Sequence, residues 1–388
     1  MQCFSYARNS ANQPFKTITI MLTKFAVTNY RGFAKKIELD LSHPSGYDFN
    51  KTAIKDGVVK NGIIYGPNGS GKTNIGLAIF DIANHLSHKW KKPDYYLNFV
   101  SAVNYLQPVE FEYCFKFDNR WLKYSYAKTT KDGQIIIVKE RLEEQNNVLF
   151  NKDANGLTIA DEFSISADAK QNLMTGANTV SLINFILGSA PLAKDHLLIK
   201  LRDFVENMLF FRSLDNREFI GYREGSSNIE EYIISNQYVK DFEKFLEETS
   251  KQKFEFAEPV LGEKILYCLM NGVKIPFQLV ASTGTLNLEL QYFWLKEMVN
   301  ASFVFIDEFD AFYHHELSYA ICRRLFVGER QTFMTTHDTF LLTNDLLRPD
   351  CFFIIRNNKI DAICNMTEKE LRFGHNLEKL YRGGTFGK

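Results

Sequence analysis

An apolar strand running into Gly66-Pro67-Asn68-Gly69-Ser70-Gly71-Lys72-Thr73 leaves this chain few folds to adopt. The octapeptide fits G-x-x-x-x-G-K-[ST]; Gly62-Ile63-Ile64-Tyr65 lead into it and a helix-like segment from Asn74 to Ile82 leads out. A strand–loop–helix unit of this kind turns successive backbone N–H groups inward, and the helix N-terminus adds partial positive charge, so the loop cradles an anion. Gly66, Asn68, Gly69, Ser70 and Gly71 form the cradle. Lys72 reaches the β- and γ-phosphates of a nucleotide, and the Thr73 hydroxyl ligates Mg²⁺. With glycine at about 7% of residues, a chain of this length carries such a match by accident about once in a hundred times.

Three further segments supply what such a loop needs. Phe303-Val304-Phe305-Ile306-Asp307-Glu308 reads as a buried strand ending in two carboxylates. Asp307 is placed to hold Mg²⁺ through water, and Glu308 to polarise the attacking water. Ala281-Ser282-Thr283-Gly284-Thr285 opens a helix carrying Leu286, Leu290, Phe293 and Leu295. Its small, hydroxyl-rich start is either an anion site or a simple N-cap. Thr335-Thr336-His337-Asp338 ends another apolar strand, where His337 can sense or stabilise the γ-phosphate.

Composition narrows the classes. Net charge is zero, so no global field draws the chain to nucleic acid; Arg323-Arg324 and the basic stretch at 88–92 read as solvated surface. The six cysteines are scattered without a C-x-x-C pair, which predicts reduced, buried thiols and a cytoplasmic protein. No apolar run approaches the roughly 18 residues that span a bilayer, so no membrane partner is expected. Residues 1–20 read as an N-terminal arm, with Met21 an alternative start.

Along the chain, strands are predicted at 22–28 and 35–41, a helix at 73–89, and an antiparallel meander from 108 to 142 with turns at Asp118-Asn119-Arg120 and Lys131-Asp132-Gly133. Helical periodicity follows at 168–175, 180–187, 194–209, 229–235 and 239–251. After strands at 265–270 and 273–279, an alternation of helix 285–299, strand 302–306, helix 314–326, strand 331–335, helix 339–346 and strand 351–356 argues for a parallel or mixed sheet.

In order, Thr28-Asn29-Tyr30-Arg31-Gly32-Phe33, the phosphate loop, Ser282-Thr283-Gly284-Thr285, Ile306-Asp307-Glu308 and Thr336-His337 resemble an ABC-type ATPase head. Within that superfamily the chain is similar to the RecF/SMC/OLD-like branch, especially the bacterial AAA-family ATPases of abortive-infection and phage-defence operons, such as AbiL-like proteins. Asp307-Glu308-Phe309-Asp310-Ala311-Phe312-Tyr313-His314 is similar to that branch's D-E-x-[DE]-x-x-L-H stretch. Arg348-Pro349-Asp350 matches as well, as does the ending from Asn376 to Tyr381 with Gly384 and Phe386-Gly387. The resemblance covers 22–145 and 262–388.

The resemblance implies an α/β fold: a P-loop NTPase, ABC-ATPase-like head of mixed sheet and antiparallel β meander, plus a helical insertion. The expected divisions are the arm at 1–20, a first head lobe at 21–150, the insertion at 151–262 for assembly or partner docking, and a second head lobe at 263–388. It further implies ATP and Mg²⁺ as cofactors, sandwiched between two heads of a homodimer or higher homo-oligomer. Ser282 and Gly284 of one subunit would close on the γ-phosphate held by Lys72 of the other, with His337 touching that phosphate and Arg31 near the nucleotide. Three departures imply slow turnover: the signature lacks its Gln, His315 stands where the branch has Pro, and Gln107 is the one weak match to the Gln that bridges Mg²⁺ and water.

Two functions compete. The first is an ATPase sensor or scaffold in antiphage defence that controls a separate effector, a nuclease or toxin from the same operon, without an attached nuclease domain of its own. The second is a RecF/SMC-like DNA-repair ATPase that clamps DNA directly; for the first, DNA or a phage component would be the trigger. A transporter subunit fits less well, because of the meander and the insertion.

Overall fold

Alternating burial builds the first of two large sheets. The computed structural model describes residues 20–87, 98–175, 179–212, 219–221, 228–260, 262–311 and 313–387. The expected arm, but for Ile20, lies outside the described residues, as do the basic stretch at 88–92, Phe312 and Lys388. In chain order, β1 (Ile20–Thr28) and β2 (Ile37–Asp40) form a hairpin, and β3 (Ile54–Lys55) and β4 (Val58–Val59) a smaller one. Next, β5 (Asn61–Tyr65) enters the phosphate loop, and α1 (Lys72–Ile79) and α2 (Asp81–Leu86) leave it. Five strands follow: β6 (Val109–Phe117), β7 (Arg120–Lys131), β8 (Gln134–Glu144), β9 (Asn147–Asp153) and β10 (Gly156–Ile159).

These five continue the first sheet in the antiparallel order β10-β9-β8-β7-β6-β1-β2. On β6 the residues Val109, Phe111, Tyr113, Phe115 and Phe117 are buried, while their neighbours face outward. The turns fall at Asp118, Asp132 and Gly133, all at positive φ. The meander is thus two strands longer than the sequence alternation suggests, because β9 and β10 are short and carry weak alternation.

The rest of the chain builds the nucleotide sheet and a helical lobe. It runs through α3 (Ala167–Thr175), α4 (Leu182–Ser189), α5 (Leu197–Glu206), β11 (Leu209–Arg212), β12 (Phe219–Gly221), α6 (Ile229–Ser235) and α7 (Val239–Ser250). Then come β13 (Tyr267–Met270), β14 (Val273–Pro276), α8 (Phe277–Val280), α9 (Thr283–Glu297), β15 (Phe303–Asp307) and α10 (His315–Leu325). The last are β16 (Gln331–Thr335), β17 (Phe352–Arg356), β18 (Lys359–Ala362) and α11 (Leu377–Arg382). The second sheet has the order β12-β11-β15-β16-β5-β17-β18, with β11, β15, β16, β5 and β17 parallel and the two edge strands antiparallel.

The expected boundaries at 150 and 262 do not coincide with this packing. Residue 150 lies inside β9, and β11, from the expected helical insertion, pairs with β15 in the nucleotide sheet. The helix expected at 194–209 stops at Glu206, because Leu209, Phe210 and Phe211 are buried as a strand. α6 and α7 pack on α9 instead: Tyr232 meets Phe293, and Tyr292 meets Phe242 and Phe245 while donating its hydroxyl to Asp241 at 2.5 Å. Sequence proximity concealed this lobe, which joins the end of the insertion to the helix that Ser282 opens.

α1 and α2 lie between the two sheets. Phe80 packs on Phe210 and Phe303, and Tyr113 of the meander donates to the Ala78 and Ile79 carbonyls at 3.0 and 3.2 Å. The helix expected at 73–89 is therefore two, broken at the buried Phe80. Gln331 ties the sheets at one end: its side chain accepts from the Leu22 N–H at 2.7 Å and donates to the Leu22 and Val59 carbonyls. The helix expected at 339–346 is one short 3-10 turn, Thr339–Leu341, because Asn344 instead donates to the Arg372, Phe373 and His375 carbonyls.

Candidate functional site

The phosphate loop joins the C-terminal end of β5, second from β18 in the nucleotide sheet, to the start of α1. Two glycines are dictated by space. A Cβ on Gly66 would sit 2.6 Å from both the Ile355 carbonyl oxygen and Ser70 Oγ. Gly71 has φ of 101°, and a Cβ there would lie 2.5 Å from the Phe33 ring. The turn after β1 is thus pressed on the loop, and it brings Arg31 with it. Arg31 has φ of 47°, donates its N–H to the Phe99 carbonyl at 2.8 Å, and carries its guanidinium 5.6 Å from the Tyr30 ring centroid.

Lys72 is buried, with Nζ donating to the Gly66 and Pro67 carbonyls at 2.8 and 3.2 Å. Burial lowers its pKa, and the charges of Asp307, Glu308 and Asp310 oppose that shift. The Ser70 hydroxyl is buried and makes no hydrogen bond among the described residues. A buried ammonium and an unpartnered hydroxyl beside a glycine cradle fit a bound polyphosphate, whose oxygens would accept from both. Thr73 follows on the first turn of α1, half-buried.

The two carboxylates end β15, the second strand over from β5 across β16. Asp307 is buried, and its Oδ1 accepts from the Thr335 hydroxyl at 2.7 Å. The Thr335 hydroxyl oxygen in turn accepts from the Glu308 N–H at 2.8 Å. Glu308 has φ of 49°, a left-handed conformation that costs a non-glycine residue about 1–2 kcal/mol and that functional sites retain. Its retention here rests on the Thr335 bond and on the neighbouring Phe309 N–H, which donates to the Thr335 carbonyl at 3.0 Å. Thr335 thus couples the carboxylate strand to the strand that ends in His337. Its role was not visible in sequence, since it arises only when β15 and β16 lie in register.

His337 is exposed at the end of β16, and its N–H faces Asp310 Oδ1 at 3.4 Å. Lys72, Asp307, Glu308 and His337 are therefore carried on neighbouring parallel strand ends. Ser282 and Gly284 are not joined to them. Ser282 caps α9, accepting from the Thr285 N–H at 3.2 Å, and the Thr285 hydroxyl donates to Gln252. Among the described residues no hydrogen bond links Ser282 or Gly284 to the phosphate loop. Gln107 is exposed in a turn whose carbonyls, including its own, are held by the Asn29 side chain.

Among the described residues no three His, Cys, Asp or Glu side chains converge into a metal cage. A magnesium ion needs none, since it takes one or two protein ligands together with phosphates and water. Buried Asp307, with Thr73, fits that donor chemistry. Among the described residues, too, no helix is long and apolar enough to cross a membrane. Of the cysteines, Cys268, Cys322 and Cys351 are buried and free as expected, while Cys114 and Cys364 are free but only half-buried.

Fold and site together define an α/β phosphate-loop protein, with loop, acidic strand end and histidine carried on one mixed sheet. The chain belongs to the family described as "AAA domain, putative AbiEii toxin, Type IV TA system", whose model matches residues 63–343. No curated protein matches it in sequence. Among solved structures it is similar to an Smc head bound to the C-terminal winged-helix domain of ScpA, with 13% identity and a TM-score of 0.45 over 88% of this chain and 97% of that one. A Pyrococcus furiosus Smc head with an extended coiled coil, bound to the C-terminal domain of ScpA, has 13% identity and a TM-score of 0.43 over 89% and 96%.

Proposed function

We propose that this chain is an ABC-type ATPase that binds and hydrolyses ATP, and that ATP held between two copies drives their closure. The observation that carries the reading is the Asp307–Thr335–Glu308 bridge, which ties the carboxylate strand end to β16, the strand next to that of the phosphate loop. Lys72 and the loop N–H groups hold the phosphates, and His337 contacts the terminal one. Mg²⁺, held by Thr73 and Asp307, would supply charge neutralisation on the β- and γ-oxygens. Glu308 orients the attacking water and accepts its proton. Ser282 and Gly284, at the head of an exposed helix start, complete the site of a second copy, and Arg31 flanks the nucleotide.

We further propose that closure acts as a sensor or scaffold for a separate effector in antiphage defence. The family's description, which names a Type IV TA system, supports a toxin–antitoxin setting, and the separate effector is the proposal's own addition. With Lys72→Ala, ATP affinity should fall at least about 10- to 100-fold, the worth of charged hydrogen bonds to phosphate. With Glu308→Gln, turnover should fall about 100-fold or more while ATP traps a larger assembly, read by light scattering on a sizing column. Turnover unchanged in Glu308→Gln removes that residue from its role. Phage challenge with and without the neighbouring genes tests the defence role. Tight, salt-sensitive binding to duplex DNA by the chain alone would favour the DNA-clamping alternative.

A further inference from the structure

His337 stands on a turn held from several sides, yet is itself exposed. The Thr336 hydroxyl accepts from the Asp338 N–H at 2.9 Å, and Asp338 Oδ1 caps the next turn by accepting from the Phe340 N–H at 3.0 Å. Asp338 is buried, and a buried carboxylate is stable only where donors or a counter-charge meet it. His315 meets it: Nδ1 lies 2.7 Å from the same Oδ1, and the ring lies over Phe340 with centroids 5.7 Å apart. His315 is the first residue of α10, the helix that follows the carboxylate loop, and its side chain is largely exposed. Core packing therefore does not require an imidazole there. From α11, Glu378 accepts from the Thr339 hydroxyl at 2.9 Å, and Arg382 donates to that hydroxyl at 3.1 Å.

We propose that His315 is a positioning residue: through Asp338 it fixes the turn that aims His337 at the terminal phosphate of bound ATP. The proposal rests on the reading of His337 given above and adds a residue to it. It links two elements of the site, since α10 starts from the loop bearing Glu308 and Asp310, while the turn continues β16. Groups facing His315 are Asp338 on the turn, Glu378 on α11 and Asp310 on the carboxylate loop, and they raise its pKa, so the pair keeps its charge closer to neutral pH.

The test is the ratio of ATP to ADP affinity, measured by calorimetry on the full chain, because only ATP carries the phosphate that His337 contacts. His337→Ala should weaken ATP relative to ADP by about 10-fold, the size of one charged hydrogen bond. His315→Ala should give a loss of similar size, and the double variant should lose no more than the worse single one, since one residue acts through the other. His315→Asn, whose amide N–H can replace the Nδ1 donor, should stay within about twofold of the parent. Losses that multiply in the double variant overturn the proposal. So does a His315→Ala chain with parental discrimination, an equal loss of ADP binding, or failure of His315→Asn to rescue. If His337→Ala leaves discrimination intact, the proposal falls together with the role of His337. Lys72→Ala, run alongside, separates this from failure of the phosphate-loop reading, in which case that variant would bind both nucleotides as the parent does.

Discussion

At the scale of single residues, the site depends on contacts that leave no room for a side chain. Gly71 has both a left-handed φ and the Phe33 ring where a Cβ would be. Gly71→Ala should therefore cost about 1–2 kcal/mol in backbone strain alone, before the clash is counted, and should abolish nucleotide binding while the far-ultraviolet dichroism stays native. Retained ATP affinity in that variant, measured by calorimetry, would show that the loop can relax away from Phe33. The octapeptide, Asp307-Glu308 and His337 could be proposed from sequence because the chemistry expected of them depends on residue type at fixed local spacing. Thr335 was not, since threonine at a strand end has many ordinary uses and only the neighbouring strand gives it two partners. His315 appeared in sequence only as a departure from a pattern. Its partner Asp338 is 23 residues away, and no local rule pairs them.

At the scale of elements, the meander meets α2 and α4 through a buried polar network. Asp81 Oδ2 accepts from the Tyr126 hydroxyl at 2.8 Å and from Lys128 Nζ at 2.7 Å. His85 Nε2 lies 2.7 Å from the Tyr124 hydroxyl, which donates to Glu140 Oε1 at the same distance. Glu140 also accepts from the Leu182 N–H at the start of α4. Burial, and secondarily the Lys128 charge, hold His85 well below its usual range, so it is neutral, and its 3.9 Å approach to Glu140 is no ion pair.

Burial raises Glu140 from its ordinary 4.5 to about 7, against the Leu182 N–H and Tyr124 hydroxyl that favour its charged form. The folded chain thus keeps a proton that the unfolded chain gives up above about pH 4.5, so this contribution to stability is complete below that pH and is lost as pH rises through 7. Between those limits the parent should lose about 1–3 kcal/mol relative to Glu140→Gln in urea unfolding. Parallel pH curves for the two chains would refute the assignment. The meander strands of this network were legible from alternation, but its pairing with α2 was not, because tyrosines at buried strand positions read as ordinary core.

At the scale of the whole molecule, the residues of the proposed site stand in places the chain does not join. Lys72, Asp307, Glu308 and His337 share one sheet, whereas Ser282 opens a helix packed in a lobe with α6 and α7. If two copies pair about a two-fold axis, each closing the other's site, chains carrying Lys72→Ala and chains carrying Ser282→Ala are each inactive alone. Mixed in equal amounts they should recover about a quarter of the parental ATPase activity, since half of the dimers are mixed and each mixed dimer has one intact site. No recovery on mixing would place Ser282 in the service of its own chain's loop.

The sequence by itself determined the chemistry that a residue type and short spacing can encode: a phosphate loop between strand and helix, a strand ending in carboxylates, a histidine after a strand, and a meander marked by its turns. Only the tertiary structure decided which strand ends are neighbours, that the helix after the loop breaks at Phe80 between two sheets, and that the end of the expected insertion packs against the helix of Ser282. The physical reason is the range of the forces involved. Hydrogen-bonded turns and side-chain periodicity act over a few residues, whereas strand order and the burial of Phe, Tyr and paired charges are settled by contacts between segments that may lie 300 residues apart, as Gln331 and Leu22 do.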